Sequence, residues 1–410
     1  MEALPVFPAN YAGMDGRTEQ YLKRVAATDP PPVYSVCPER ARAALVALQI
    51  ESFVPGPPAR VERRVLPVGP SGETAVHIVT PEDGPEGDAS YRAWLRRLPK
   101  LCAGRGCARK RSDASEKDTV SADESGTRCR AMPAIVYVHG GGWETGSFET
   151  HERLVRELAA GVGATVVFVD YERTPEAAFP VALQQVVAVY RYLVERGAEL
   201  GVDARRLAIA GDSAGGNLAT VAAMVLRGAI ELPTGDSKRG GSVSKRARPR
   251  CQALLYPVVD YRFDDASFSE FAGGPVLTYQ AMAWFWALYA GTERVGSVDP
   301  ALSPLRASDE QLRDSPPTLV VSCSNDVLRD AGEAYGARIS EAGAEAATVR
   351  LAGTAHNAML LNGLACTVPT RAGFAATIAF LRQYLFARDG DGSRRHHRHR
   401  HRHLSPRPDA

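Results

Sequence analysis

The chain has 410 residues and a formal net charge of +2, because 49 Lys and Arg side chains nearly balance 47 Asp and Glu side chains. This length suits one large α/β domain with additions, and the near-neutral balance gives no electrostatic reason to expect a nucleic-acid or membrane partner. No run of residues approaches the roughly 18 apolar positions of a membrane-spanning helix.

The N-terminal residues show two helical patterns and no strands. One pattern covers Thr18–Ala27, and the other starts after Pro38. Three prolines at 30–32 separate them, because proline cannot continue a helix. Segment 1–52 is therefore predicted to form cap helices over a site, and 53–385 to form the main domain.

A hairpin and an insertion follow. Arg60–Leu66 and Thr74–Thr80 are predicted strands joined by a Gly-Pro-Ser-Gly turn. Segment 82–131 is rich in Gly, Ser and basic residues, and helical spacing occurs only over Tyr91–Leu101. We predict a basic, flexible insertion that is mostly disordered or loosely packed. A site for an anionic partner is the alternative, although a solvated loop is favoured.

From residue 134 onward, apolar strands alternate with helices. The predicted strands are Ala134–Val138, Ala164–Val169, Leu207–Ala210, Gln252–Tyr256, Thr318–Cys323 and Ala347–Leu351. The predicted helices are His151–Ala160, Pro180–Glu195, one that starts at Gly216, an aromatic helix within Phe268–Ala290, and Phe374–Phe386. This alternation predicts an α/β fold with a mostly parallel central sheet covered by helices on both faces.

Two polar segments interrupt or follow this pattern. Segment 231–250 is predicted to be a surface loop, and 386–410 to be a disordered Arg/His-rich tail.

The cysteines bear on the redox compartment. The seven cysteines are scattered and lack zinc-ligand spacing. Cys251 and Cys323 adjoin or lie in apolar strands, where free buried thiols are common. The start of the chain, Met-Glu-Ala-Leu-Pro, does not have the pattern of a secretory signal. These features favour a reduced, cytoplasmic protein without a metal site.

Ser213 stands in the sequence Gly211-Asp212-Ser213-Ala214-Gly215, between a predicted strand and a predicted helix. That context is the one a G-x-S-x-G nucleophile needs. The tight turn requires small neighbours, which explains Gly211 and Gly215. The helix N-terminus beneath the serine favours developing negative charge. Ser213 is therefore the predicted nucleophile.

A serine nucleophile needs a base, and the base needs an orienting carboxylate. Asp326 and His356 each follow a late strand, at the sheet edge where reactive groups gather in parallel sheets. The order Ser…Asp…His is the one expected of α/β-hydrolases. Asp330 is a competing carboxylate, but Asp326 lies nearer to the end of its strand. The predicted catalytic residues are Ser213, Asp326 and His356.

A glycine run, His139-Gly140-Gly141-Gly142-Trp143, follows the first central strand. Glycines let backbone N–H groups approach an oxyanion without obstruction by side chains. The predicted oxyanion-hole donors are the N–H groups of Gly141, Gly142 and Ala214. His139 is predicted to be a structural hydrogen-bonding residue rather than a second base.

These motifs resemble those of the hormone-sensitive-lipase-like family of α/β-hydrolase esterases, over roughly Phe53–Pro81 and Pro133–Leu385. The matching segments are His139–Trp143, Asp170–Glu176 with Phe179–Pro180, Gly211–Asn217, Tyr256–Pro257, Asp299–Pro300 with Ser303–Pro304, Asp326–Asp330, and His356. The resemblance implies an α/β-hydrolase fold in which 53–385 is the catalytic domain. It implies the triad and oxyanion hole named above, and a helical cap that includes segment 260–292. It also implies hydrolysis of short- to medium-chain carboxylic esters without a cofactor. One departure is Ala358, because the family usually places an aromatic residue at this second position after the histidine.

Other functions stay open at this stage. The same triad could cleave amides, as an amidase or deacetylase does. A ligand-binding protein that has lost catalysis is possible on this fold, although such a protein would be expected to lack a triad member. A nucleic-acid-binding function is weakly supported, because acidic residues balance the basic ones.

Aromatic side chains are the candidates for substrate contact. Trp143, Trp284 and Phe285 are predicted to line an acyl pocket. The alternative, which the sequence favours equally, is that Trp284–Trp286 pack the cap helix onto the core.

Overall fold

The computed structural model describes residues 9–83, 89–103, 131–232 and 248–387. Its strands are β1 Ala59–Leu66, β2 Thr74–Pro81, β3 Met132–Val138, β4 Thr165–Asp170, β5 Val202–Asp212, β6 Gln252–Leu255, β7 Thr318–Asn325 and β8 Ala346–Ala355. Its α-helices are α1 Gly16–Ala26, α2 Pro38–Glu51, α3 Ala89–Ala103, α4 Phe148–Val162, α5 Val181–Arg196, α6 Ala214–Leu226, α7 Ala266–Glu270, α8 Tyr279–Ala290, α9 Asp309–Arg313, α10 Arg329–Glu341 and α11 Val368–Leu385.

The strands form one eight-stranded sheet in the order β1-β2-β4-β3-β5-β6-β7-β8. The hairpin β1-β2 is antiparallel, and β2 pairs antiparallel with β4. Every other neighbouring pair is parallel. The predicted mostly parallel sheet and the predicted hairpin are therefore confirmed. In parallel strands all carboxyl ends meet at one edge, so the loops after β3, β5, β7 and β8 lie together.

Helices cover both faces of the sheet. Successive strand residues point to opposite faces, so Val136 of β3 belongs to a buried cluster with Leu218 of α6. Its neighbour Ile135 belongs to a second buried cluster with Leu158 of α4 and Phe374 of α11. All seven residues of β3 are buried, as expected for a strand covered on both sides.

The N-terminal helices lie at the carboxyl ends of the late strands. Tyr21 and Leu22 of α1 pack against Leu361 and Leu364, in the segment after β8. The backbone N–H of Asp15 donates to the Gly353 carbonyl at 2.9 Å. These contacts bring segment 9–51 next to the loops in which the site residues were predicted.

The predicted insertion is helical over the part that the structure describes. Helix α3 contains the predicted span Tyr91–Leu101, and Tyr91, Trp94 and Leu98 are buried against α4 and α11. The prediction of loose packing is wrong for this helix, because its buried apolar side chains belong to the same cluster as Ile135 of β3. The rest of the segment, at 84–88 and 104–130, lies outside the described residues, as do most of the predicted loop 231–250 and the tail from 388 onward.

One cysteine pair corrects the expected redox state. Cys102 at the end of α3 forms a disulfide bond with Cys366, which precedes α11. The prediction of a reduced chain is therefore wrong for this pair, which α3 brings together by packing on the core. Cys251 and Cys323 are free and buried, as expected. Within the described residues, no helix is both long enough and apolar enough to cross a bilayer. The cytoplasmic location stays a prediction.

Candidate active site

Ser213 lies in a strained turn between β5 and α6. Its backbone has φ 53° and ψ −120°, a conformation that costs a non-glycine residue roughly 1–3 kcal/mol. A Cβ atom on Gly211 would come within 2.3 Å of the Gly215 carbonyl oxygen, and one on Gly215 within 2.1 Å of the Val138 carbonyl oxygen. Glycine is therefore required at both positions, for the steric reason that the sequence suggested.

A row of hydrogen bonds joins Ser213 to two later loops. His356 Nε2 lies 2.9 Å from Ser213 Oγ, and His356 Nδ1 lies 2.7 Å from Asp326 Oδ2. None of the three residues is more than 5% exposed, so water competes little for these bonds. The N–H of Leu328 holds the other Asp326 oxygen at 3.0 Å. In this geometry the imidazole can accept the serine proton at Nε2 while Asp326 accepts the Nδ1 proton.

Asp330 occupies a different place from Asp326. Its carboxylate accepts a hydrogen bond from the Ser267 backbone N–H at 2.8 Å and pairs with Arg329 at 2.7 Å. Both ring nitrogens of His356 are occupied by Ser213 and Asp326. The structure thus favours Asp326 over Asp330 as the partner of the histidine.

The glycine loop after β3 lies beside the serine turn. Gly141 has φ 110° and Gly142 has φ 60°. The Gly141 carbonyl accepts hydrogen bonds from the N–H groups of Glu144 and Thr145. In the part of the chain that the structure describes, the N–H groups of Gly141, Gly142 and Ala214 donate to no acceptor. Two loop N–H groups and one at a helix N-terminus therefore lack an internal acceptor, as the predicted oxyanion donors require.

Asp212, next to Ser213, fixes this loop, a role that the sequence analysis missed. The Asp212 side chain is completely buried. It accepts hydrogen bonds from the Gly140 N–H at 3.0 Å and the Tyr137 hydroxyl at 2.7 Å, and it lies 3.3 Å from His151 Nε2. Burial acts to raise the pKa of Asp212, but His151 and the Tyr137 hydrogen bond bring it below its usual value. Asp212 is therefore a charged anchor between the serine turn and the glycine loop.

His139 behaves as the structural residue that was predicted. Its ring is completely buried and stacks on Tyr171, with 4.1 Å between the ring centroids. Nδ1 lies 2.8 Å from the Gly140 carbonyl oxygen. Burial lowers the pKa of His139 to about 3, and the neighbouring His151 adds to this effect. The ring therefore stays neutral and supports the first turn of the glycine loop.

The aromatic residues predicted to contact substrate differ in position. Phe285 of α8 lies against the glycine loop, because a Cβ atom on Gly142 would come within 2.2 Å of its ring. Trp143 is completely buried, stacks on Tyr289 of α8 and lies tilted against Trp286, so it offers no surface to a ligand. Trp284 is partly buried and packs against the buried cluster that contains Trp143. The structure therefore shows Trp143 packing α8 onto the core, with Phe285 next to the site.

Glu144 is a buried carboxylate immediately after the glycine run. Arg42 of α2 places its Nε atom 3.6 Å from Glu144 Oε1, but within the described residues neither carboxylate oxygen has a hydrogen-bond partner. Burial raises the pKa of Glu144 to about 7, against the lowering effect of Arg42. Burial therefore favours the protonated form of this carboxyl group.

The chain is similar to known hydrolases over this region. A family model described as alpha/beta hydrolase fold matches residues 135–360. The chain is 37% identical over 240 residues to a putative alpha/beta hydrolase of Acanthamoeba polyphaga mimivirus, and the match covers 58% of the chain and 65% of that relative. It is 35% identical over 234 residues to an ethyl acetate hydrolase of Pseudomonas putida, covering 57% of the chain and 68% of that relative.

Solved structures are similar over a larger share of the chain. A thermostable esterase from Pseudomonas putida has a TM-score of 0.73 and 31% identity, and the match covers 92% of this chain and 99% of that one. A hyperthermophilic esterase from Pyrobaculum calidifontis has a TM-score of 0.69 and 28% identity, covering 91% of this chain and 99% of that one. By sequence, the chain spans 54–70% of the length of the curated relatives that it matches.

Proposed function

The chain belongs to the hormone-sensitive-lipase-like family of α/β-hydrolases, and we propose that it hydrolyses carboxylic esters of short- to medium-chain acids through an acyl-enzyme on Ser213. The observation that carries the proposal is the buried row of hydrogen bonds from Ser213 Oγ through His356 to Asp326. The names of the relatives, which include an ethyl acetate hydrolase, support ester substrates.

In the first half of the reaction, His356 Nε2 takes the proton of Ser213 Oγ as the oxygen attacks the ester carbonyl carbon. The carbonyl oxygen becomes an oxyanion, which accepts hydrogen bonds from the N–H groups of Gly141, Gly142 and Ala214. When the tetrahedral intermediate collapses, the C–O bond to the alcohol breaks and the proton on His356 passes to the leaving oxygen. Asp326 stabilises the imidazolium while it carries that proton.

In the second half, a water molecule hydrolyses the ester bond between Ser213 and the acyl group. His356 takes a proton from the water as it attacks, and the same donors hold the second oxyanion. Collapse returns the proton to Ser213 Oγ and releases the carboxylic acid. Every proton is carried by this chain's own residues, so the proposed reaction needs no cofactor.

Phe285 is the proposed side chain for contact with the substrate. Its ring lies on Gly142, where it would meet a group bound at the oxyanion donors. Trp284, its neighbour on α8, is the second candidate. Trp143 packs against α8 through Tyr289, so its proposed effect on substrate binding is indirect, through the position of α8.

The test is hydrolysis of p-nitrophenyl esters from acetate to palmitate by the wild type, Ser213→Ala and His356→Ala. We expect turnover of the shorter esters, and a loss of several orders of magnitude in both variants. Circular dichroism would show that the variants are folded. A folded wild type that hydrolyses acyl anilides but none of these esters would make the protein an amidase. Activity that survives in Ser213→Ala would remove Ser213 as the nucleophile.

A further inference from the structure

The turn after His356, residues 357–362, is buried from residue 358 onward. Asn357 has φ 63°, a left-handed conformation, and residue 358 is a buried alanine. The Asn357 carbonyl accepts the N–H groups of Leu360 and Leu361. These local bonds shape the turn but do not attach it to the rest of the protein. The Thr370 hydroxyl of α11 donates to the Ala358 carbonyl at 3.0 Å, and two buried polar side chains, on α2 and on α4, attach residues 359–362.

Gln49, in the last turn of α2, bonds to this turn with both polar atoms of its side chain and with its backbone carbonyl. Its side-chain nitrogen donates to the Leu360 carbonyl at 3.0 Å and to the Thr150 carbonyl at 2.6 Å. Its side-chain oxygen accepts the Asn362 backbone N–H at 2.9 Å, and its own carbonyl accepts from the Asn362 side chain at 2.9 Å. Gln49 is 4% exposed, so each of these bonds is shielded from water.

Arg153 of α4 binds the same turn from the core side. Its guanidinium donates to the Met359 carbonyl at 2.6 Å, the Leu360 carbonyl at 2.8 Å and the Asn362 side chain at 2.7 Å. The remaining nitrogen pairs with Glu157 at 2.5 Å. A planar guanidinium with five N–H groups can make this set of bonds, whereas a lysine ammonium cannot.

We propose that Gln49 and Arg153 are positioning residues for His356, which hold the Met359–Asn362 turn so that the imidazole faces both Ser213 and Asp326. This inference rests on the proposed function, since it assigns the means by which the base of that reaction is aligned. It also couples the N-terminal helices to catalysis, because Gln49 belongs to α2 and the turn that it holds follows the base by only a few residues.

The coupling has a physical basis in the distances of the triad. Proton transfer needs His356 within hydrogen-bond reach of both partners, and a displacement of about 1 Å can cost on the order of 100-fold in rate. If Gln49 is removed, the Asn362 N–H loses its acceptor and the Leu360 carbonyl loses one of its two donors. Buried groups left without partners favour a rearranged turn, which would move the attached imidazole.

The first test compares Gln49→Leu with Gln185→Leu as a matched control. Gln185 is also a buried glutamine that holds a loop, because its side chain makes two hydrogen bonds to Glu172. We expect Gln49→Leu to lower kcat by about 10- to 100-fold while KM changes little. Gln185→Leu should lose comparable thermal stability and keep its kcat. Equal kcat losses in the two variants would overturn the proposal.

A second measurement does not depend on turnover. The hydrogen-bonded proton between His356 Nδ1 and Asp326 can be followed by proton NMR in Ser213→Ala, with His356→Ala used to assign the signal. If Gln49 positions the imidazole against Asp326, adding Gln49→Leu should weaken that charge-assisted hydrogen bond and move the proton signal upfield. An unchanged signal position would overturn the proposal.

The outcomes also separate the two claims. A wild type without esterase activity would defeat the proposed function, while the NMR signal of the His356–Asp326 hydrogen bond would still decide the positioning role. Should Gln49→Leu not fold, Arg153→Lys keeps the charge beside Glu157 but loses bonds to the turn. It is expected to lower kcat and to move the Nδ1 proton signal of His356 upfield, and a kcat equal to that of the wild type would contradict the role of Arg153.

Discussion

The carboxylate of Asp212 accepts the backbone N–H of Gly140 at 3.0 Å, and this bond joins the serine turn to the loop of the oxyanion donors. We predict that Asp212→Ala lowers kcat by at least about 10-fold and destabilises the fold, since Tyr137 and Gly140 lose their acceptor. Asp212→Asn keeps one acceptor oxygen, so its kcat and its stability should fall much less. Steady-state kinetics with thermal melts checks this, and equal kcat values in all three proteins would contradict it.

Gly142 is predicted to be intolerant of a side chain. A Cβ atom there would come within 2.2 Å of the Phe285 ring, at a backbone φ of 60°. Gly142→Ala should lower kcat by about 100-fold or more, because the loop must shift and move an oxyanion donor. Gly296→Ala is the control, since its φ is 76° but no atom lies within 4 Å of the added Cβ. An unchanged kcat in Gly142→Ala would remove that N–H from the mechanism.

Glu144 gives a prediction for stability against pH. Burial raises its pKa in the folded protein to about 7 from the ordinary value of 4.5. The folded state therefore keeps a proton that the unfolded chain releases above pH 4.5, so this group makes the protein less stable as pH rises toward 7. Glu144→Gln removes the titration. The free energy of unfolding of the variant, measured relative to that of the wild type, should rise by on the order of 2–3 kcal/mol when the pH is raised from 5 to 8.

Urea unfolding at the two pH values measures this difference. Glu310→Gln is the control, because Glu310 is an exposed residue in the first turn of α9. It should follow the wild-type pH dependence. A Glu144→Gln curve parallel to that of wild type would show that the Glu144 carboxyl is ionised in the folded protein throughout this range.

The bond between Cys102 and Cys366 joins positions 264 residues apart. Closing a long loop limits the unfolded chain, so we expect the paired change Cys102→Ser with Cys366→Ser to lower the free energy of unfolding by about 2–4 kcal/mol. Cys37→Ser, at an exposed free thiol, should leave it unchanged. Chemical denaturation without reductant checks both, and a double variant as stable as the wild type would contradict the stabilising role.

The sequence predicted the site residues where a chemically reactive side chain directly follows a recognisable strand. Ser213, Asp326 and His356 each follow a strand that is visible as an apolar run, and parallel strands bring those ends to one edge. Their proximity could therefore be predicted, while their catalytic roles stay a prediction. Asp212 could not be singled out, because Gly140 and His151 are 72 and 61 residues away in the chain. The hydrophobic periodicity of a sequence does not reveal hydrogen bonds between residues so far apart.

Helix α10 shows why some elements were missed. It carries Gly332 and Gly336, which lower helix propensity. Gly336 is accounted for by packing, because a Cβ atom there would come within 2.3 Å of the Thr348 hydroxyl on β8. Tertiary contact overrides local preference at this position. In the same way, the burial of α3 and its disulfide bond depend on α4 and α11, which lie far along the chain.

The central claim is that Ser213 is a nucleophile activated by His356. The most direct measurement is labelling of the folded protein with a fluorophosphonate, followed by mass spectrometry of its peptides. The account predicts one phosphonyl adduct on Ser213, absent from Ser213→Ala and formed far more slowly in His356→Ala. An adduct on another residue, or equal labelling of wild type and Ser213→Ala, would contradict it.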